Sequence, residues 1–123
     1  MPTALVVDDS RAIRMILSRT LRSLGYEVRE AGDGREALET LGSGPPADLV
    51  MADWNMPVMD GLELLRRIRA SPRFHGVPVV MVTTEAEIDQ MTLALQAGAT
   101  EYVMKPFTKD ILADKLRLAG LLE

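Results

Sequence analysis

The sequence predicts a doubly wound α/β domain, a parallel sheet with helices on both faces. Three observations carry that expectation. Short apolar runs recur along the chain, and Ala4-Leu5-Val6-Val7, Leu49-Val50-Met51-Ala52 and Val77 to Val82 are near-continuous, as strands covered on both faces are. Between the runs lie segments whose apolar residues recur at helical spacing. Strand and helix alternate five times, which implies parallel pairing through right-handed crossovers.

The elements follow in order. Ala4 to Val7 forms the first strand and ends at Asp8-Asp9-Ser10. Ile13, Ile16, Leu17, Leu21 and Leu24 mark the first helix, with Gly25 as its stop. Arg11, Arg14, Arg19 and Arg22 interleave with that stripe and read as a solvated face. Tyr26 to Glu30 alternates like a strand near an edge. Asp33-Gly34 makes a turn, and Ala37, Leu38 and Leu41 give a short helix closed by Gly42. After the loop Ser43-Gly44-Pro45-Pro46, residues Asp48 to Ala52 form the third strand. Asp60-Gly61-Leu62-Glu63 has the pattern of a capped helix start, with Leu62, Leu65 and Ile68 inward and Ser71-Pro72 as the end. Val77 to Val82 is the fourth strand and runs into Thr83-Thr84. A fourth helix spans about Glu85 to Gln96, with Ile88, Met91 and Leu95 inward and Gly98 beyond it. Glu101 to Met104 is the fifth strand, ending in Lys105-Pro106. Thr108 caps a last helix carrying Ile111, Leu112, Leu116 and Ala119.

Composition bounds the function. The 123 residues suit a single domain over 1–123, and no second or output domain is expected. A net charge of −4 gives no electrostatic case for nucleic acid or an anionic membrane as partner. With no cysteine, disulfides, thiolate catalysis and zinc–thiolate sites are excluded. No apolar run approaches the ~20 residues of a membrane span. The N-terminus leads into a strand rather than a signal peptide, so a cytoplasmic domain is expected.

Function is expected where the strands end. In a parallel sheet all C-terminal ends share one edge, and ligands bind there where strand order reverses. That edge would collect Asp8 and Asp9 from the first strand, Asp53 from the third, Thr83-Thr84 from the fourth and Lys105 from the fifth. Each residue alone has a plainer explanation. Asp53 and the Asp8-Asp9 pair could be turn residues, Thr83 a helix cap, and Lys105 a surface loop residue. Their agreement is what argues for a site. Two carboxylates ~4 Å apart repel by roughly 4 kcal/mol at an effective dielectric near 20, so three must share protons or hold a cation. Oxygen-only ligands favour a hard ion, and an incomplete protein shell suits Mg²⁺. Beside Mg²⁺ one carboxylate can attack phosphorus, and Asp53, alone on the central strand, is the best nucleophile. Lys105 and a threonine hydroxyl would meet the charge of the transferring group.

The stretches Val6 to Ser10, Asp53-Trp54-Asn55-Met56-Pro57-Val58-Met59-Asp60-Gly61, Val82-Thr83-Thr84 and Lys105-Pro106-Phe107 together resemble the receiver domain of two-component response regulators. The likeness covers the whole chain. It is nearest to stand-alone chemotaxis-type receivers, through Gln96-Ala97-Gly98-Ala99 and Tyr102 to Phe107. The resemblance implies a flavodoxin-like fold of strand order 2-1-3-4-5. By position, Asp53 resembles the phosphoacceptor, Asp9 a direct Mg²⁺ ligand, Asp8 a ligand through water, and Asn55 the donor of a backbone carbonyl to the metal. Thr83 resembles the switch hydroxyl, Tyr102 the aromatic that moves with it, and Lys105 the phosphate-pairing lysine before a cis proline. Glu85, with Asn55, sits where the family tunes dephosphorylation. Such a protein is a switch that assists its own phosphorylation and dephosphorylation, not an enzyme acting on other substrates. A histidine kinase is the implied phosphodonor, and a protein target on the helix four–strand five–helix five face the implied output, with the receiver acting as a monomer.

Two departures from the family pattern stand out. Thr84 occupies a position where the family usually has a smaller residue, and its β-branch would crowd the phosphate entrance. Glu85, Glu87 and Asp89 make the start of helix four acidic, whereas flagellar-motor-binding relatives are more basic there. Two other functions compete. A Mg²⁺-dependent phosphohydrolase using Asp53 covalently wants a second aspartate two residues on, where this chain has Asn55. Nucleotide or flavin binding wants a glycine-rich loop after the first strand, where this chain has Asp8-Asp9. Among the remaining residues, Met51, Met81, Met91 and Met104 read as packing, Phe74 and Phe107 as loop anchors, His75 as exposed, and Trp54 as a partly exposed lid over the acceptor.

Overall fold

The apolar runs become strands wherever both faces of the chain are covered. A computed structural model describes residues 1–84 and 89–123. Its elements alternate without exception: β1 (Thr3–Val7), α1 (Arg11–Ser23), β2 (Glu27–Ala31), α2 (Gly34–Gly42), β3 (Leu49–Asp53), α3 (Gly61–Ala70), β4 (Val79–Thr83), α4 (Met91–Gln96), β5 (Glu101–Met104) and α5 (Lys109–Leu118). The strands form one parallel sheet in the order β2-β1-β3-β4-β5. β5 has the predicted bounds, and the other four strands differ from prediction by one or two residues at their ends. The predicted start of helix four, with Glu85, Glu87 and Ile88, lies outside the described residues.

Because successive strand residues point to opposite faces, the sheet divides the core in two. Leu5, Val7, Val50, Ala52, Val79 and Met81 pack under α2, α3 and α4. Ala4, Val6, Leu49, Met51, Val80 and Val82 pack under α1 and α5. Four helices begin with a side-chain oxygen accepting from the amide three residues on: the predicted caps Asp60 from Glu63 at 2.8 Å and Thr108 from Ile111 at 3.2 Å, and two caps that were not predicted, Ser10 from Ile13 at 3.3 Å and Asp33 from Glu36 at 2.8 Å. Each such cap stabilises its helix by about 1 kcal/mol. Asp33-Gly34 is therefore the cap and first residue of α2 rather than a free turn. Gly25 and Gly98 take φ of 100° and 107° just past α1 and α4, a conformation that stops a helix and that other residues rarely adopt.

Which way each helix is rolled against the sheet was not fully predicted. Ile16, Leu95 and Ile111, assigned inward by spacing, are exposed, while Ser18, Ala94 and Ala113 beside them are buried. On α3 it is Leu64 that joins Leu65 and Ile68 in the core, with Leu62 only half-buried. In α1, α4 and α5 the buried side of the helix thus includes a small residue while a larger apolar neighbour is turned outward. Met104 is 40% exposed on the outermost strand and is not a packing residue. Trp54 is 6% exposed inside the core on the α2–α3–α4 face, so it is no exposed lid; a full indole contributes more by burial than by standing in water.

Candidate functional site

The topology carries Asp8, Asp53 and Lys105 to one edge from three different strands. Asp53 is the last residue of β3 and faces Val82 in the β4 register. Asp8 and Asp9 follow β1, and Lys105 follows β5. Carboxylate oxygens of Asp8, Asp9 and Asp53 all lie within 4.8 Å of one another. Asp8 and Asp53 are buried and Asp9 is exposed, so the cluster has two walls and one open side.

Lys105 reaches into this cluster. Its Nζ donates to Asp53 Oδ1 at 2.9 Å and lies 3.6 Å from Asp8 Oδ2. Burial by itself would lower the Lys105 pKa, but the hydrogen bond with Asp53 and the charges of Asp53 and Asp8 outweigh it and raise the pKa above its ordinary value. The peptide bond from Lys105 to Pro106 is cis, as the resemblance implied. One ammonium offsets one of three carboxylates, which leaves the cluster acidic.

Asp8 is held at several points. Its amide donates to Ala31 O at 3.1 Å, its carbonyl accepts from Arg14 Nη1 at 2.7 Å, and its Oδ1 accepts from the Ser10 amide at 2.8 Å. Its other oxygen, Oδ2, is buried with no hydrogen-bond partner among the described residues, its ion-pair contact being Lys105 Nζ at 3.6 Å. A buried acceptor left in that state is costly unless something else fills the space it faces. The donor set around it is all oxygen, which suits a hard divalent cation better than a soft one.

The other expected residues fall around this centre. Thr83 closes β4, wholly buried, and its hydroxyl donates to the Thr84 carbonyl at 3.3 Å, while its own carbonyl accepts from the Lys105 amide at 2.6 Å. Thr84 is half-buried beside it. Asn55 is exposed in the loop that follows Asp53. Tyr102 is half-buried on β5 with Lys115 Nζ 4.4 Å from its ring centroid, and Lys115 also pairs with Glu101 at 3.5 Å. Glu85 lies outside the described residues. His75 is exposed, as expected.

Two contributors were not predicted. Arg14, read as part of a solvated face, has a side chain only 19% exposed and spans from the Asp8 carbonyl to Glu30 Oε1 at 3.2 Å. The signal was present: a long side chain four residues after a cap points back over the strand end. Gly61, read only as part of a helix start, is where α3 begins against the end of β3. Its amide donates to the Trp54 carbonyl at 2.9 Å, and a Cβ there would come 2.2 Å from the Asp53 carbonyl oxygen. In the same loop Val58 holds a φ of 69°, strained for a β-branched residue, which no pattern in the sequence marks.

The response regulator receiver domain family matches residues 4–117. Chemotaxis protein CheY of Pseudomonas aeruginosa is 48% identical over 113 residues, covering 91% of this chain and 90% of that protein. Chemotaxis protein CheY1 of Helicobacter pylori is 45% identical over 115 residues, 93% of each. The solved structure of chemotaxis response regulator CheY4 of Vibrio cholerae superposes with a TM-score of 0.88 at 38% identity, over 97% of this chain and 98% of that one. Likeness on this scale leaves no element of the sheet outside the match, and the chain belongs to the response regulator receiver domain family, the phosphorylation-activated signalling switches of two-component systems.

Proposed function

We propose that Asp53 is the phosphoacceptor, that Asp8, Asp9, Asp53 and the backbone carbonyl of Asn55 hold Mg²⁺ beside it, and that Lys105 pairs with the arriving phosphoryl group. The observation that carries this reading is Asp8 Oδ2, a buried acceptor without a hydrogen-bond partner, aimed into a space shared by three carboxylates. When bound there, Mg²⁺ would neutralise charge on the phosphoryl oxygens and orient them.

The chain's own residues do the rest. An Asp53 carboxylate oxygen attacks the phosphorus of a phosphohistidine on a histidine kinase. The Asp53 O–P bond forms and the P–N bond breaks; the donor nitrogen keeps the electron pair and takes a proton from solvent. Lys105, already bonded to Asp53 Oδ1, transfers that bond to the new phosphoryl oxygens. Thr83 is the switch hydroxyl: it spends its proton on the Thr84 carbonyl at the upper end of hydrogen-bond length, and a phosphoryl oxygen is a stronger acceptor. Tyr102 moves with it, away from the Lys115 ammonium. Asn55 and Glu85 tune the hydrolysis that resets the switch.

Output is read as protein contact through α4, β5 and α5, in the chemotaxis class of pathway to which the named relatives belong. The misassigned residues support this face: Leu95, Met104 and Ile111 are exposed on those elements, and Met104 and Ile111 line one shallow cavity with Tyr102 and Lys115. The phosphohydrolase reading is not favoured, since Asn55 cannot titrate as its general acid. Incubation with Mg²⁺ and acetyl phosphate is expected to add one phosphoryl group to the intact mass, and Asp53→Asn to add none. An unchanged mass in folded protein with Mg²⁺ present would sink the proposal.

A further inference from the structure

We infer that Arg14 is a positioning residue of the acidic cluster, tying the β1–α1 loop to the edge strand β2 so that Asp9 is presented ready for a divalent cation. The inference rests on the cation reading above and adds a residue to it.

The geometry points this way from both ends of the guanidinium. Nη1 donates to the Asp8 carbonyl at 2.7 Å, and Nε to Glu30 Oε1 at 3.2 Å. The carbonyl of Asp8 and the amide of Asp9 belong to one rigid peptide plane. Fixing that carbonyl therefore fixes the direction in which Asp9 leaves the strand, and with it the one exposed carboxylate of the cluster. Asp8 itself needs little help, because its amide and its Oδ1 are bonded to Ala31 and Ser10. The bond from Arg14 is thus placed to act on the residue that follows.

The surroundings are shaped for this span. A Cβ at Gly32 would lie 3.6 Å from Arg14 Nη1 and 3.3 Å from Glu36 Oε2, and Glu36 in turn accepts from the Gly32 amide at 3.1 Å. The β2–α2 loop therefore passes within ordinary contact distance of the guanidinium. Bidentate bridging of a carbonyl and a carboxylate is a task for a planar fork of donors, which lysine cannot reproduce. Residues that orient metal ligands without touching the metal typically affect affinity by 10–100-fold.

The test measures Mg²⁺ affinity, by Trp54 fluorescence and by the rise in melting temperature on adding Mg²⁺. Wild type is expected to bind, and Asp9→Ala to lose the response. Arg14→Gln is expected to weaken Mg²⁺ about tenfold. Arg14→Lys should recover only part of that loss, and Glu30→Ala, which removes the far anchor, should weaken binding less than Arg14→Gln does. A wild type that ignores Mg²⁺ would overturn the cation reading itself. With wild type binding and Asp9→Ala silent, an Arg14→Gln affinity equal to wild type would overturn the role of Arg14 alone, even if its metal-free melting point fell. Full recovery in Arg14→Lys with unaltered affinity in Glu30→Ala would reduce Arg14 to a distant charge, and likewise overturn it. Should Arg14→Gln fail to fold, Glu30→Ala decides: unchanged affinity there overturns the proposal.

Discussion

The two edges of the sheet use polar residues in opposite ways. At the N-terminal edge they close loops. The Arg69 guanidinium donates to the carbonyls of Gly98 at 2.9 Å, His75 at 2.9 Å and Val77 at 2.6 Å, pinning the segments that lead into β4 and β5. Asp48 Oδ2 accepts from the Thr3 amide at 2.8 Å, and the Tyr26 hydroxyl donates to the Leu121 carbonyl. Charge there is matched to backbone dipoles. At the C-terminal edge three carboxylates gather, two of them paired with one ammonium, and a buried oxygen has no hydrogen bond among the described residues. One edge is satisfied and adds stability. The other leaves like charges together, the arrangement expected of a site that takes up a cation and a phosphoryl group under the function proposed above.

That contrast can be broken by substitution. The largest effect is expected at the satisfied edge. Arg69→Ala strands three carbonyls and should lower unfolding free energy by about 3 kcal/mol, since each bond from a charged donor is worth about 1.5–3 kcal/mol before discounting for partial exposure. Urea titration measures it. Acetyl phosphate should still modify the folded variant; loss of that reaction at a matched folded fraction would show that the edges are not independent.

Gly61→Ala joins the two edges' concerns. Its methyl would meet the Asp53 carbonyl oxygen at 2.2 Å and Met81 Cε at 2.8 Å, so the backbone at Asp53 must shift. Overpacking of this kind costs about 1–3 kcal/mol. Here phosphoryl acceptance, followed by intact mass over time, should slow along with the loss in stability. A variant that loses stability yet accepts phosphoryl groups at the wild-type rate would separate the glycine from the site.

The smallest effect belongs to Lys105. Its pKa is raised because the folded state holds its proton more tightly. The stabilisation is therefore complete below the unfolded lysine value of ~10.4 and fades as pH rises past the folded one. Lys105→Met should cost about 1 kcal/mol at neutral pH, with its surface screening counted, and the gap to wild type should persist up to the unfolded lysine value of ~10.4 and close only as pH rises through the higher folded one. A gap that stayed constant through that range would mean that the lysine acts by packing.

Much of this was legible before any coordinates. The alternation of strand and helix fixes a parallel sheet, and a parallel sheet sends every strand's C-terminus to one edge. Asp8, Asp9, Asp53 and Lys105 therefore had to meet, because chain connectivity and handedness leave them no other place. Caps and stops were equally local and equally readable, as at Asp60 and Gly25. Tertiary structure alone decided the rest. Periodicity names an apolar stripe but not how the helix rolls, so Ile16, Leu95 and Ile111 face outward while Ser18, Ala94 and Ala113 are buried. It decided that Trp54 is core, and that Arg14 leaves the solvated face to brace a loop. It also decided which oxygen of Asp8 is spent on Ser10 and which is kept back. The physical reason is one of range. Patterns of period two or 3.6 report what neighbours along the chain require, whereas the depth of a side chain and the partners of a single atom depend on elements that the chain brings together only when it folds.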